Sequence, residues 1–421
     1  MSGKPEAPEM QPRTLPTSLV DAGVRPLAGV RVLDCATFIA APTCATLLGE
    51  FGAELIKVEH PGSGDPLRRF GTPSPRADSS YCWLSEARNR TSITLDLSRP
   101  EGAALFRRLA AVSDVICENF RPGTLERWGL GWEQLRAVNP DLVLLRVTGY
   151  GQTGPYRDRP GFARIAHAVG GLSQLAGMPG EIPVTPGSTS LGDYLAGLYA
   201  AVGVLVALIH RRRGGGGQVV DIGLYEAVLR VLDELAPAYI HAGVVRDREG
   251  AGTRNACPHG HFPTRDERWV AIACTTDKMF ARLATAMDRP QLADATAFGP
   301  QTVRLAARET VDRLVAAWTG SLDLEEVMRR CLAAEVPVGP LNSIVDIVND
   351  PQVAARGNLV GITDADVGTC VIPDVIPRLS ATPGRIDRIG PALGSGNARV
   401  FRDLLGLSAD EVDELRVRGV L

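Results

Sequence analysis

Short runs of apolar and β-branched residues alternate with helical segments in the first third of the chain. The runs that predict strands are residues 30–34, 54–59, 114–118 and 141–147. Between the first two, the small apolar residues 42–51 predict a helix, which completes a βαβ unit. Strands that alternate with helices in this way predict a parallel α/β sheet, and this constrains the fold more than any other feature.

Further elements follow in the rest of the chain. Residues 194–209 and 224–240 predict helices, and residues 219–222 predict a strand between them. Capping-box patterns at Ser98 and Ser408 predict two more helix starts. The helix predicted at residues 194–209 contains the longest apolar run of the chain. This run is too short to cross a bilayer comfortably. We therefore expect a buried helix there and no membrane partner.

The composition excludes several classes of protein. The 45 Lys and Arg residues nearly balance the 48 Asp and Glu residues, which argues against a nucleic-acid partner. An apolar share of 45% is typical of a globular protein. The 8 cysteines include no CxxC pair, and the polar N-terminus has no apolar signal-peptide core. We therefore expect reduced thiols and a cytoplasmic location.

The usual signatures of cofactor and metal sites are missing from the sequence. Residues 35–42 form the first βα turn without any glycine, so the phosphate-binding fingerprint of dinucleotide folds is absent. Glu59 ends the second strand, where it could hold a ribose hydroxyl or remain a solvated charge. Cys257, His259 and His261 lack a fourth ligand at metal-binding spacing. We predict no metal and no permanently bound cofactor.

Asp193 directly precedes the most apolar predicted helix and follows a turn-rich segment. Two interpretations are open. The side chain could cap the N-terminus of the helix. Alternatively, it could be a partly desolvated carboxylate nucleophile that attacks an acyl carbon and forms a mixed anhydride.

Short motifs of one known family occur here in the same order from Pro26 to the C-terminus. They include Asp34, Pro42, Gly64 with Asp65, Asn89 with Arg90, Asn119 with Phe120, Gly149 with Gly151, Gly192 with Asp193, and Gly217 with Gln218. The chain therefore resembles the class III CoA-transferases, the family of formyl-CoA transferase and of the carnitine and bile-acid CoA-transferases. The resemblance implies a large Rossmann-like parallel-sheet domain, a smaller α/β domain and an interlocked homodimer.

The resemblance also implies an enzyme and a mechanism, in which Asp193 is the catalytic residue. Its carboxylate would attack the donor thioester, forming an aspartyl mixed anhydride and releasing CoA thiolate. The thiolate would then attack the aspartyl carbonyl, giving an enzyme–CoA thioester and the free donor acid. The acceptor acid would run these two steps backwards, so no ATP is required.

Other positions would contact coenzyme A by the same resemblance. They are Ile39, Ala40, His60, Leu95, Asp96, Asn119, Phe120, Arg127, Thr148, Gly149, Tyr150 and Gly151. In this set, His60 and Arg127 would meet the phosphates, and residues 148–151 would flank the thioester.

The branch of the family is predicted from fewer residues. Residues 149–171 resemble enzymes that transfer CoA from succinyl-CoA to malate, citramalate, itaconate or glutarate. The second carboxylate of such an acid needs a cation, and the candidates are Arg164 and, before it, Arg159.

Two alternatives remain, and one of them is a non-catalytic CoA-binding subunit. The other is a 2-methylacyl-CoA racemase or isomerase, a branch that carries a Gly-His pair before the aspartate. This chain has Gly161 and Phe162 in that place, and His167 is a poor substitute.

We divide the chain into four segments. Residues 1–25 would be a disordered leader, and residues 26–222 the large CoA-binding domain. Residues 223–345 would form linker helices and the small domain. Residues 346–421 would return to the large domain.

Overall fold

The computed structural model describes residues 25–187 and 189–421. These residues form two compact units. The first contains the described residues up to Gly171, together with Gly187–Asp233 and Gln352–Leu421. The second contains Leu172–Pro186 and Glu234–Pro351. The leader predicted for residues 1–25 lies outside the described residues except for Arg25, which forms an ion pair with Asp387.

The strands form separate sheets. In chain order they are β1 (Arg31–Asp34), β2 (Glu54–Glu59), β3 (Arg90–Thr94), β4 (Val115–Glu118), β5 (Val143–Thr148), β6 (Gln218–Gly223), β7 (His259–Pro263), β8 (Trp269–Ala273), β9 (Val338–Pro340), β10 (Leu359–Asp364) and β11 (Gly368–Pro373).

The helices are, in chain order, α1 (Ala40–Glu50), α2 (Tyr81–Glu86), α3 (Pro100–Ala111), α4 (Thr124–Arg127), α5 (Trp132–Val138), α6 (Ala163–Val169), α7 (Leu172–Leu175), α8 (Leu191–Arg212), α9 (Leu224–Arg230), α10 (Leu235–Ala242), α11 (Asp277–Ala286), α12 (Gln301–Ala306), α13 (Arg308–Thr319), α14 (Leu324–Ala333), α15 (Ile344–Asn349), α16 (Pro351–Arg356) and α17 (Ala409–Val417). Short 3-10 segments lie at Pro66–Arg69 and Pro290–Ala293, and a π-helical segment lies at Ala398–Leu404.

The main sheet has the strand order β3-β2-β1-β4-β5-β6, and all neighbouring strands are parallel. Strands β1, β2, β4 and β5 are buried along nearly their whole length, as expected for a parallel sheet covered on both faces. The direction of winding reverses between β1 and β4, so the loops after these strands diverge and leave a crevice. The predicted parallel α/β sheet is confirmed.

Each unit has its own apolar core. In the first unit, Phe106 of α3, Leu135 of α5 and Val412 of α17 belong to one buried cluster with side chains of the main sheet. In the second unit, Phe280 and Val327 belong to a separate cluster beside the sheet β7-β8-β9. The C-terminal helix therefore packs in the unit that contains the crevice.

The two predicted capping boxes have different outcomes. At α17, the Ser408 hydroxyl accepts from the Glu411 N–H, and the Glu411 carboxylate accepts from the Ser408 N–H, so this prediction is confirmed. At α3, the N-cap is Arg99, and the Ser98 hydroxyl donates to Asp96 at 2.6 Å. The predicted helix is therefore present, but Ser98 does not cap it, because the neighbouring carboxylate engages its hydroxyl.

Helix α8 is only partly buried. Among the described residues it is the one helix long and apolar enough to cross a membrane. In its most apolar stretch of 18 residues, 44% is buried. Ala200 and Val204 lie in the interior, whereas Val202 and Val206 are each 60% exposed. Within this chain the predicted burial holds for one face of the helix only, because its apolar residues lie on both faces.

Candidate active site

The loop at residues 35–39 follows β1 and forms one wall of the crevice. Two of its backbone N–H groups donate to carboxylates: that of Ala36 donates to Asp34 at 3.2 Å, and that of Phe38 donates to Asp65 at 3.0 Å. Phe38 adopts a left-handed φ of 62°, which is costly for a bulky residue. The surrounding hydrogen bonds hold the loop in this conformation.

A buried lysine, Lys57, stabilises the same loop. Lys57 is 1% exposed, and its ammonium group lies 2.8 Å from Asp65 and 3.5 Å from Asp34. It also donates to the carbonyl of Ala36. One cation thus joins the loop to both carboxylates that hold it, which preorganises this wall.

Glu59 has neither of the roles that the sequence suggested. Its carboxylate is buried, and its two oxygens each accept from Arg68 at 2.7 Å. The hydroxyl of Ser92 donates to it at 2.6 Å, and the Asp65 N–H donates at 2.9 Å. Because the carboxylate has these partners, Glu59 is neither a ribose ligand nor a solvated charge.

Cavity 1 lies at the carboxyl ends of β1 and β2 and has a volume of about 270 Å³. Its lining includes the predicted contacts His60, Leu95, Asp96 and Phe120, together with Ser98 and Trp128. Although burial opposes its ionisation, hydrogen bonds from Ser98 hold the pKa of Asp96 below its ordinary value. His60 accepts from the Gly62 N–H at Nδ1, so its Nε2 can donate to a ligand.

Cavity 2 adjoins cavity 1, since Thr37 and Phe120 line both. It has a volume of about 250 Å³. The predicted residues in its lining are Ala40, Asn119, Phe120, Thr148, Gly149 and Asp193. The structure therefore brings the predicted nucleophile together with several of the predicted CoA contacts.

Asp193 is not a helix cap. Ser190 is the N-cap of α8, and Asp193 lies in the first turn. Burial raises the pKa of its carboxyl group to about 7. Within the described residues, no hydrogen bond engages this carboxylate, and the half-buried residue lies in the lining of cavity 2. These are the properties required of a carboxylate nucleophile.

Arginines line cavity 2 as well, and sequence reasoning found only one of them. Arg159 was named as an alternative, and its guanidinium group lies 3.6 Å from the centre of the Tyr156 ring. Arg121 and Arg157 were missed. A signal existed, because Arg121 directly follows the Asn-Phe motif and Arg157 lies in the loop after β5, but isolated arginines are also common on solvated surfaces.

Five predicted residues lie outside the linings of both cavities among the residues that the structure describes. They are Ile39, Arg127, Tyr150, Gly151 and Arg164. The side chain of Ile39 is in an apolar cluster, Arg127 donates to the Thr124 hydroxyl, and Arg164 is exposed. Tyr150 contacts the rings of Tyr156 and Tyr225. Their roles remain predictions.

Two aromatic residues in contact with each other line cavity 2. Phe38 and Phe162 are in edge-to-face contact with ring centroids 6.1 Å apart, and Phe162 is 66% exposed. The loop that carries Phe162 folds back on β5, since a Cβ on Gly149 would lie 2.9 Å from the Gly161 Cα. Glycine is therefore required where these two backbones meet.

Cys257, His259 and His261 lie in the second unit. Both histidines belong to β7. In the described part of the chain, no group of three or more His, Cys, Asp and Glu side chains is arranged to hold a metal ion.

A parallel sheet with the predicted aspartate at its crevice agrees with the family inferred above. Residues 27–397 match CoA-transferase family III, and the chain belongs to this family of CoA-transferases. The predicted family, fold and enzyme class are confirmed.

Individual relatives cover almost the whole chain. The alpha subunit of succinyl-CoA--L-malate CoA-transferase from Chloroflexus aurantiacus is 58% identical over 396 residues, 94% of this chain and 92% of the relative. The beta subunit from that bacterium is 58% identical over 398 residues, 94% of this chain and 98% of the relative. The crystal structure of a CAIB/BAIF family protein from Brucella suis has a TM-score of 0.80 and 32% identity, and covers 90% of this chain and 99% of that chain.

Proposed function

We propose that this protein transfers CoA from succinyl-CoA to a small dicarboxylic acid, such as malate, citramalate or itaconate. The observation that carries the proposal is the presence of Asp193 in one cavity with Arg121, Arg157 and Arg159. A carboxylate nucleophile can accept the acyl group, and a guanidinium group can hold the second carboxylate of the acid. The names of the two Chloroflexus aurantiacus subunits agree with this pair of substrates.

The reaction begins with attack of an Asp193 carboxylate oxygen on the thioester carbon of succinyl-CoA. The C–S bond breaks, and the products are a mixed anhydride and CoA thiolate. The thiolate then attacks the aspartyl carbonyl, which gives an enzyme–CoA thioester and releases succinate. The acceptor carboxylate attacks this thioester, and the released thiolate attacks the acceptor's own carbonyl in the new anhydride. Asp193 is thereby restored, and no proton or electron is left over.

The cavity supplies positioning and protection from water. Both intermediates on Asp193 are activated acyl groups, so hydrolysis would waste the bound thioester. Phe38 and Phe162 provide apolar surface beside the nucleophile, and the hydrogen-bonded loop at residues 35–39 keeps one of these rings in place. Because the reactants are held next to each other, each bimolecular step becomes effectively unimolecular, and its rate increases.

The geometry disfavours the racemase alternative. Such an enzyme needs a group that exchanges the proton at C2, and the position that carries histidine in that branch holds Phe162. His167 is buried, and its Nε2 is occupied by a backbone N–H donor. Solvent deuterium entering C2 of an acyl-CoA would favour the racemase instead.

Assembly and location are part of the same proposal. Apolar side chains of α8, among them Val202 and Val206, are exposed to water. Such a patch is typical of a surface that another molecule covers. We propose that a second copy of the chain covers them in a homodimer. All 8 cysteines are unpaired, which agrees with a cytoplasmic location.

Mass spectrometry of acyl-CoA products tests the activity. The purified protein receives succinyl-CoA with malate, citramalate, itaconate, mesaconate or glutarate in separate reactions, beside Asp193→Ala as the matched variant. A new acyl-CoA formed by the wild type alone supports the proposal and names the acceptor. CoA binding without exchange for any acid would contradict it and favour a binding subunit.

A further inference from the structure

His167 of α6 contacts the helix turn that carries the nucleophile. Its imidazole is 1% exposed, and the backbone N–H of Gly192 donates to its Nε2 at 2.8 Å. Gly192 immediately precedes Asp193 in the first turn of α8. Backbone N–H groups in the first turn of a helix have no partner within the helix. The imidazole therefore satisfies a donor next to the reactive carboxylate.

The hydrogen bond defines the protonation state of the ring. An acceptor Nε2 carries no proton, so the neutral imidazole has its proton on Nδ1. That nitrogen is buried and has no hydrogen-bond partner within the described residues. Burial, followed by the charge of Arg164, lowers the pKa of His167, which agrees with a neutral ring.

Gly192 leaves room for this contact. A Cβ at position 192 would lie 3.1 Å from Cδ2 of His167 and 3.3 Å from the Val228 side chain. Any larger residue would have to displace the imidazole or the helix turn. The glycine before the nucleophile thus has a packing reason, which is the close approach of the histidine ring.

We propose that His167 is a positioning residue for Asp193. It holds the first turn of α8 through the Gly192 N–H, and so places the carboxylate in cavity 2 without touching substrate. The inference rests on the proposed function and adds a residue to its machinery. Loss of the acceptor would leave the turn free to shift, and small displacements of a reacting group reduce rates strongly.

The test compares variants that keep or remove the acceptor. His167→Leu removes the acceptor and fills similar space. His167→Gln supplies an amide oxygen that can accept the hydrogen bond in place of Nε2. Val228→Ala is the matched control, since it loosens packing against Gly192 but leaves the hydrogen bond. For each protein, kcat and KM for succinyl-CoA are measured by the exchange assay, and folding is checked by thermal unfolding.

We expect kcat of His167→Leu to fall by about ten- to hundredfold with KM nearly unchanged, because the turn moves while the rest of the site is intact. His167→Gln should recover most of the rate, and Val228→Ala should retain it. If His167→Leu does not fold, Gly192→Ala displaces the ring without removing it and should lower kcat in the same way. Unchanged kcat in His167→Leu, or in Gly192→Ala where His167→Leu does not fold, beside an active wild type would overturn the inference. An inactive wild type would instead overturn the proposed function.

Discussion

The side-chain amide of Asn119 forms hydrogen bonds with both the backbone N–H and the backbone carbonyl of Thr37. The Thr37 N–H donates to Oδ1 at 2.8 Å, and Nδ2 donates to the Thr37 carbonyl at 2.7 Å. The loop after β4 is thereby joined to the loop after β1 across the crevice. Asn119 lines cavity 2, but its hydrogen bonds hold the wall of the cavity.

Asn119→Ala should lower kcat/KM for succinyl-CoA by about ten- to hundredfold, because the loop that bears Phe38 loses two of its hydrogen bonds. Asn139→Ala is the matched control, since Asn139 also binds backbone carbonyls with its amide, at Ala110 and Ser113. Both variants lose stability, but only the first should lose activity at a temperature where both are folded. Equal kcat/KM values in steady-state kinetics would contradict this role.

The activity should depend on the ionisation of Asp193. Burial raises the pKa of this carboxyl group to about 7, and only the carboxylate can attack a thioester. The rate of exchange at low substrate concentration should therefore rise as pH increases through about 7 and then level off. A flat pH profile of kcat/KM between pH 5 and pH 9 would be incompatible with this assignment.

The same carboxyl group affects stability in the opposite direction. Because burial raises its pKa above the ordinary 3.8, the folded state holds the proton more tightly than the unfolded chain. The stability that it contributes is therefore lost as pH rises through about 7. The advantage of Asp193→Asn in free energy of unfolding should grow between pH 4 and pH 7 and then remain constant. Urea unfolding at several pH values measures this difference, and an advantage that shrinks with pH would refute it.

Substitutions at Arg159 and Arg164 distinguish which of the two arginines binds the second carboxylate of the acid. Arg159→Met should weaken the use of succinyl-CoA by about tenfold or more relative to butyryl-CoA, since a bidentate charged contact is lost. Arg164 is exposed and lies outside the cavity lining, so Arg164→Met serves as the control. The measurement is the ratio of kcat/KM for the two thioesters. If only Arg164→Met changes this ratio, Arg164 is the recognition residue.

The buried pair of Arg68 and Glu59 should be important for stability. Arg68 is 2% exposed, and both of its bonds to Glu59 are 2.7 Å long. Arg68→Met should cost about 3–5 kcal/mol in free energy of unfolding, because it leaves an unpaired buried carboxylate. Arg265→Met breaks an exposed pair with Asp323 and should cost far less, because water already solvates both charges. Chemical denaturation compares the two, and similar losses would show that burial does not control the cost.

The central strands could be predicted because their patterns are local. Residues 54–59 form β2 over the predicted range, and β1, β4 and β5 begin within two residues of the predicted starts. Helix α1 was also found, with its start shifted to Ala40. The exposed side of α8 was not found, because an apolar residue carries the same signal whether it faces the interior or solvent.

The sequence by itself determined the family, the parallel sheet and the identity of the candidate nucleophile, because motifs and short apolar runs are properties of neighbouring residues. Only the tertiary structure decided that Asp193 lies in a helix turn and that Asn119 holds Thr37. It also decided that Glu59 is bound by Arg68 and that arginines from separate loops line one cavity. The contact of Asn119 with Thr37 and the shared cavity lining join residues far apart in the chain. They follow from the strand order, which brings the ends of β1 and β4 to the same crevice.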